Sequence, residues 1–300
     1  MAAITTGSIP KAMKLGTKYW FGRQYNEHSP EYTDLFDVDS SSDGWEDFVE
    51  LTGFGLVPVK DQGDATRFDA EAQGVTHRLT HVAYGLGFMV TREERDDNKY
   101  AIVGKRRSKA LAYSFRQTKE NVAALVYDRA FNSTYTGGDD KELCAEDHDC
   151  IAGSQANEMS AGADLSPAAV EDLCILAMKA VNSKGLKIAL RPQSLHVHPN
   201  DYFEARRLYE STLQYDDANN AKNVLKGYFP KGVKVNHYFS DTDAFFIRTD
   251  CPEAMKFLQR IPVEFGPDND FNTDNLKFKG YERYVCGWGD WRGVYGSPGA

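Results

Sequence analysis

The sequence predicts an α+β fold of long elements and detached extensions, and three observations carry that reading. Residues Arg92 to Phe131 hold no proline and a single glycine, Gly104, so one long helix is expected there. A capped helical pattern follows at Ser166 to Asn182, and period-two alternation marks strands at Thr76 to Val90 and Asn275 to Trp288. Helices and strands of this kind, mixed with arms and hairpins that own no core, define the α+β class. At 300 residues and 41% hydrophobic content there is material for a real core.

Taken in order, the first sixty residues carry isolated aromatics (Tyr19, Trp20, Tyr25, Tyr32, Phe36, Trp45) among Ser, Asp and Gly, with little periodicity. They read as an arm that must bury its rings elsewhere. Leu56 to Lys60 and Thr76 to Val90 read as the strands of a long hairpin, with polar Gln62 to Gly74 between them. A two-stranded excursion is marginal alone, so an outside partner is implied. The helix from Arg92 to Phe131 is long if continuous, and its apolar stripe is too short in heptads for a coiled coil. It reads as a spine.

Asn132 to Ala163 is a polar loop. Ser166 and Pro167 then form an N-cap followed by proline at the first helical position, and the helix runs from Ala168 to Asn182 until Gly185 stops it. Ile188 to Leu190 and Leu195 to Val197 read as short strands, and Asn200 as the cap of a helix from Asp201 to Leu213. Val233 to Phe239 and Ala244 to Thr249 read as a hairpin joined across Ser240 to Asp243. The chain closes on a strand-like stretch and a glycine-rich end.

The formal charge of -9 argues against tight sequence-specific nucleic-acid binding, which needs clustered cations. No apolar run reaches the roughly 18 residues of a membrane span, and Met1 to Lys14 lacks the apolar stretch of a secretory signal, so maturation in a cytoplasm is expected. Five scattered cysteines, Cys144, Cys150, Cys174, Cys251 and Cys286, read as reduced thiols. Charge is segregated: nine carboxylates and no cation lie between Arg23 and Lys60, whereas seven cations and no acid lie between Asn98 and Lys119. The two stretches are either solvated faces or docking partners within or between subunits.

Three patterns resemble ligand sites. Cys144, His148 and Cys150, with Glu146 and Asp147 between, have half of a zinc spacing and no second pair to complete it. Asp39 to Glu50 matches a twelve-residue calcium loop at positions one, three, five, six, nine and twelve, although Glu46 replaces the apolar residue and Gly53 interrupts an exiting helix. His196 and His198 lie two apart on a strand, hence on one face, and His77 and His81 flank another strand; both pairs lack a third ligand. No nucleophile elbow or complete phosphate-binding glycine pattern occurs. No catalytic, cofactor-binding or metal-binding residue is assigned, no cofactor is expected, and the protein is read as no enzyme.

The C-terminal half carries a resemblance. Asp270 to Lys279 followed by Gly287-Trp288-Gly289-Asp290-Trp291-Arg292-Gly293 is similar to the closing signature of the major capsid proteins of tailed double-stranded DNA bacteriophages. Lys184-Gly185, Arg191-Pro192, Leu195 to Pro199, Arg207 to Ser211 and Asp241 to Phe246 resemble the same family in the same order. Phe245 stands where Trp is expected, and His198 where proline is common.

The resemblance implies a layout: an N-terminal arm (residues 1–55), an extended loop (56–91), a spine helix with a peripheral domain (92–160), an axial domain (161–255) and C-terminal strands returning to the peripheral domain (256–300). It also implies a subunit that self-assembles as hexamers and pentamers into an icosahedral shell around DNA. Portal protein, a separate scaffolding protein and decoration proteins are the implied partners, with no membrane, and the virion is the implied location. An encapsulin-like compartment is the related alternative, and a metal-dependent hydrolase using the histidines and the acidic loop is the rival of another class.

Overall fold

The computed structural model describes residues 9–96, 100–214, 221–269 and 275–300. Helices α1 (Ile9–Tyr25) and α2 (Tyr32–Leu35) lead into strands β1 (Asp37–Ser40), β2 (Trp45–Leu51), β3 (Gln73–Thr80) and β4 (Val82–Val90). Helices α3 (Arg92–Asp96), α4 (Tyr100–Asp128) and α5 (Pro167–Met178) follow, then β5 (Pro192–Val197), α6 (Tyr202–Glu210), β6 (Val233–Val235), β7 (Phe245–Thr249), β8 (Met255–Asn269), β9 (Leu276–Trp288) and β10 (Val294–Ser297). Three sheets result, in the orders β1-β8-β9-β4, β10-β7-β5-β6 and β2-β3. The α+β class holds.

The predicted spine is α4, 29 residues long, with α3 before it as a separate helix; residues 97–99 lie outside the described residues. One face of α4 lies on the first sheet. Phe115 is 3% exposed there, and a Cβ on Gly280 of β9 would stand 2.4 Å from its ring. Only a bare backbone at Gly280 admits that approach. Further along, fully buried Tyr127 sits between Phe36 and Phe246 and donates its hydroxyl to Leu35 O at 2.9 Å. One continuous cluster of buried side chains reaches from α2 and α4 through α5 and both four-stranded sheets.

Several expectations are corrected. The arm is not featureless: α1 is a 17-residue helix whose Phe21 stacks on Phe265 at 4.6 Å and packs on Phe115. Gly16 and Gly22 dilute its helical signal in the sequence. Leu56 to Lys60 forms no strand, since Pro58 lacks the donor that a ladder needs. The hairpin is instead β2 with β3, paired from Trp45↔Thr80 to Leu51↔Gln73, and Thr76 to Val90 breaks at His81 into strands of two different sheets.

The second sheet departs too. Val233–Val235 and Phe245–Thr249 do not form a hairpin, because β5 lies between them, parallel to β6 and antiparallel to β7. Ile188 to Leu190 is not a strand, and His198 rather than Asn200 caps the turn that opens α6. The closing stretch divides: β8 and β9 join the first sheet, whereas β10 pairs with β7 in the second. β8 carries Pro262 and Pro267, which disguise it in the sequence; register shifts between Gln259 and Glu264 accommodate Pro262. The helix at 167–178 begins as expected, with Ser166 Oγ accepting the Ala169 N–H at 3.2 Å.

Candidate functional site

Residues 52–72, between β2 and β3, form the most exposed apolar segment among the described residues. Its base is closed by Thr52, whose Oγ1 donates to Ala72 O and accepts the Ala72 N–H, both at 3.0 Å. Asp69 braces the middle, accepting the Gly55 N–H at 2.8 Å and pairing with Lys184 at 2.9 Å. Those donors, Gly55 N–H first, hold the Asp69 carboxyl at about 2. Lys184 also lies over the Phe54 ring at 6.0 Å, and beyond that brace the apolar side chains of the loop stay exposed among the described residues. Val57, Val59 and Phe68 are 93–97% exposed, in the company of Leu56. Contiguous apolar exposure of this kind marks an interaction surface rather than a monomer's ordinary exterior.

A buried ionic cluster fixes the arm that leads to this loop. Lys119 and Glu282, both essentially without solvent contact, pair at 2.9 Å between α4 and β9. Lys119 Nζ also donates to the Tyr25 hydroxyl at 2.8 Å, and Glu120 accepts the backbone N–H groups of Tyr32 and Glu31 at 2.8 and 3.2 Å. Arg116 pairs with Glu120 one turn away. Burial pushes the Glu282 carboxyl up, against Lys119, which favours its charged form. Charges removed from water in this way fix geometry, since breaking the set leaves an unpaired ion.

The acidic stretch makes no ion pair with the basic one among the described residues of the subunit, although it packs there through α2 on α4 and through Arg116, which donates to His28 O at 3.3 Å. Its carboxylates reach cations spread over the chain: Asp34 to Lys234, Asp37 to Arg248, Asp39 to Lys256, Asp47 to Arg78 and Glu50 to Arg292. In the basic stretch Arg107 pairs with Glu94, and Arg116 and Lys119 serve the buried cluster. Lys99 lies outside the described residues.

The same pairings dissolve the calcium pattern. Asp39 lies on β1 and Glu50 on β2, Glu46 accepts the Ser41 hydroxyl at 2.6 Å, and Glu50 accepts from Ser183. Cys144, His148 and Cys150 also go separate ways. Cys144 is buried in the main core, where burial raises its thiol well above the ordinary range. His148 is sealed between Asp139, at 2.6 Å, and Asn157, and its ring stacks on Trp291 at 4.1 Å. Cys150 accepts from Arg292 at 3.2 Å.

His196 and His198 do not share a ligand. His196 is buried on β5 against Ser194 at 2.8 Å, and burial lowers its imidazole to about 3, while His198 Nδ1 accepts the Asn200 N–H. His77 stacks on Trp288, and His81 is held by Ser41. No group of three metal-ligating side chains converges among the described residues.

A family model described as phage capsid protein matches residues 75–297, three quarters of the chain. The chain belongs to the phage capsid protein family. Among curated proteins no sequence matches it. Solved structures share its fold. The capsid of Myoviridae phage XM1 aligns with TM-score 0.58 at 12% identity, covering 91% of this chain and 93% of that one. The capsid of an empty GTA particle aligns at 0.54 and 11% identity, covering 89% of each, and a virus-like particle from Pyrococcus furiosus at 0.52 and 11%, covering 94% and 98%.

The fold is therefore that of tailed-phage major capsid proteins, and the protein is a structural capsid protein. Sequence reasoning missed the residues that position this capsid protein's arm. Lys119 reads in the sequence as one of the cations of the basic stretch, and neither Glu120 nor Glu282 stands out there. A signal was present: Glu282 lies in the alternation Gly280, Glu282, Tyr284 that faces the core on β9. Of the closing signature, Asp270 to Asp274 lie outside the described residues, while Trp291 and Arg292 are buried beside the hairpin.

Proposed function

We propose that this capsid protein self-assembles as hexamers and pentamers into an icosahedral shell that encloses the double-stranded DNA genome of a tailed phage. The first sheet with α4 serves as its peripheral part, the second sheet as its axial part, and residues 52–72 as the extended loop that lies on a neighbouring subunit. The exposed loop carries the reading: its apolar side chains are 84–97% exposed at Leu56, Val57, Val59 and Phe68, and only another chain can bury them. Portal, scaffolding and decoration proteins are the partners such a shell takes, and the virion its destination after assembly in host cytoplasm.

Negative-stain electron microscopy of the concentrated protein tests the proposal, with hollow particles or sheets of hexamers expected. A variant with residues 56–68 replaced by a short glycine-serine link keeps the circular dichroism of the parent and fails to assemble. A compact monomer at every concentration and salt rules the reading out. Particles filled with protein instead of DNA favour the encapsulin-like compartment.

A further inference from the structure

Two arginines in the middle of the first sheet are answered by nothing in the described chain. Arg260 lies at the β8 irregularity between Gln259 and Ile261, and Arg283 stands opposite Ile261 on β9. Arg283 turns away from α4, since its neighbours Glu282 and Tyr284 are fully buried on the other side. Neither guanidinium has an ion-pair or hydrogen-bond partner among the described residues, and the Arg283 Nε is shut away from solvent without an acceptor.

The turn between β1 and β2 is pinned beside them. Ser41 donates its N–H to Gln259 O at 3.1 Å, and His81 donates its N–H to Gly44 O at 3.2 Å. Arg260 reaches this turn, with Nη1 3.4 Å from where a Cβ on Gly44 would stand. His81 is 5% exposed; its Nε2 meets Ser41 Oγ at 3.0 Å, and its Nδ1 is buried without a partner. Burial first, then Arg283 and Arg260, push the His81 imidazole below its ordinary range, with Glu46 opposing. Glu46 accepts the Ser41 hydroxyl and forms no ion pair with either arginine among the described residues.

A sealed N–H and two half-buried cations on adjacent strands, without an ion-pair partner among the described residues, make a place that an arriving anion completes. We propose that Arg260 and Arg283 form a socket for carboxylates of a second copy of this chain, Asp61 and Asp64 at the tip of its exposed loop. This rests on the assembly reading above. Charge complementarity selects the occupant. Asp61 and Asp64 flank the turn at Gly63, are exposed, and have no counter-ion among the described residues. They travel with apolar residues that already demand a neighbour. A planar guanidinium presents paired N–H donors that match a carboxylate. Nucleic-acid phosphate is the weaker occupant, because backbone binding uses many cations and here Glu46 stands beside only two.

The test is charge reversal followed by rescue, with assembly read by light scattering and electron microscopy. Arg260→Glu with Arg283→Glu raises the protein concentration needed for assembly about tenfold or more, as like charges across a contact do, and the neutral Arg260→Gln, Arg283→Gln pair raises it less. Asp61→Arg with Asp64→Arg is equally defective alone. Combining both reversals in one chain restores assembly.

Circular dichroism controls for folding, and the glutamine pair decides if the glutamate pair does not fold. Assembly of the arginine variants at the parent concentration overturns the socket, while failure of the loop-replaced variant would leave the assembly reading standing. A loss that the loop reversals do not rescue overturns the occupant, and normal particles that retain less DNA assign the arginines to phosphate.

Discussion

Lys119 is the residue on which the arm's position turns, because its ammonium lies in the core with Glu282 as counter-ion and the Tyr25 hydroxyl as acceptor. Lys119→Met leaves the Glu282 carboxylate buried and unpaired, and is expected to cost about 3–5 kcal/mol in urea denaturation. Adding Glu282→Leu removes the orphaned charge and recovers most of that loss. A second residue couples stability to pH. Glu158 is raised from 4.5 to about 7 by burial first and then by Glu146 and Glu142.

The folded chain therefore holds the Glu158 proton more tightly than the unfolded chain does. This contribution is complete below about pH 4.5 and is lost as pH climbs through about 7. Glu158→Gln should flatten that part of the profile, so melting temperatures taken from pH 4.5 to 8 rise relative to the parent at the alkaline end. An unchanged difference between parent and variant across the range would remove Glu158 as the source.

Among the elements, α4 and β9 are held at a spacing that one missing side chain sets. Phe115 occupies the space over Gly280, and a methyl there would sit 2.4 Å from the ring. Gly280→Ala forces helix and strand apart and is expected to cost about 1–3 kcal/mol, the usual range for overpacking. Phe115→Leu in the same chain makes room and offsets part of the cost. The β2–β3 hairpin behaves differently. Its outward side chains are exposed, including Trp45 at 53%, and its attachment relies on a few contacts such as Phe48 over Gly289 and His77 on Trp288. Elements with so little burial open at low free energy.

For the whole molecule, the acidic stretch is spent on its own subunit, tying the arm to both four-stranded sheets through Lys234, Arg248 and Lys256. Lys105, Arg106 and Lys109, the remaining cations of the basic stretch on the described part of α4, have no ion pair among the described residues; Lys105 lies over the Trp20 ring, which leaves Arg106 and Lys109 as the pair to test. Reversing both to Glu should leave the unfolding free energy within about 0.5 kcal/mol of the parent, as surface substitutions do. A larger loss would show that the acidic arm depends on them after all. Arg248 is the contrasting case: it is 6% exposed and holds Asp37 at 2.7 Å together with Asp34 O. These ion pairs close the subunit on itself, while Leu56, Val57, Val59 and Phe68 stay exposed.

Local chemistry was legible in the residues themselves. The absence of breakers between Arg92 and Phe131 announces α4, Ser166-Pro167 announces α5, and the motifs from Lys184 to Gly293 announce the family, because each depends on neighbours within a few positions. Strand partners were not legible. Val233–Val235 and Phe245–Thr249 look like a hairpin until β5 enters between them, and Met255–Asn269 looks broken by its prolines until β9 accepts the irregular register. The calcium pattern failed for the same reason, since Asp39, Asp47 and Glu50 take cations on β8, β3 and the turn before β10. Pairing and counter-ions are contacts between residues distant in sequence, and their energy is set by burial that exists only once the chain has closed on itself.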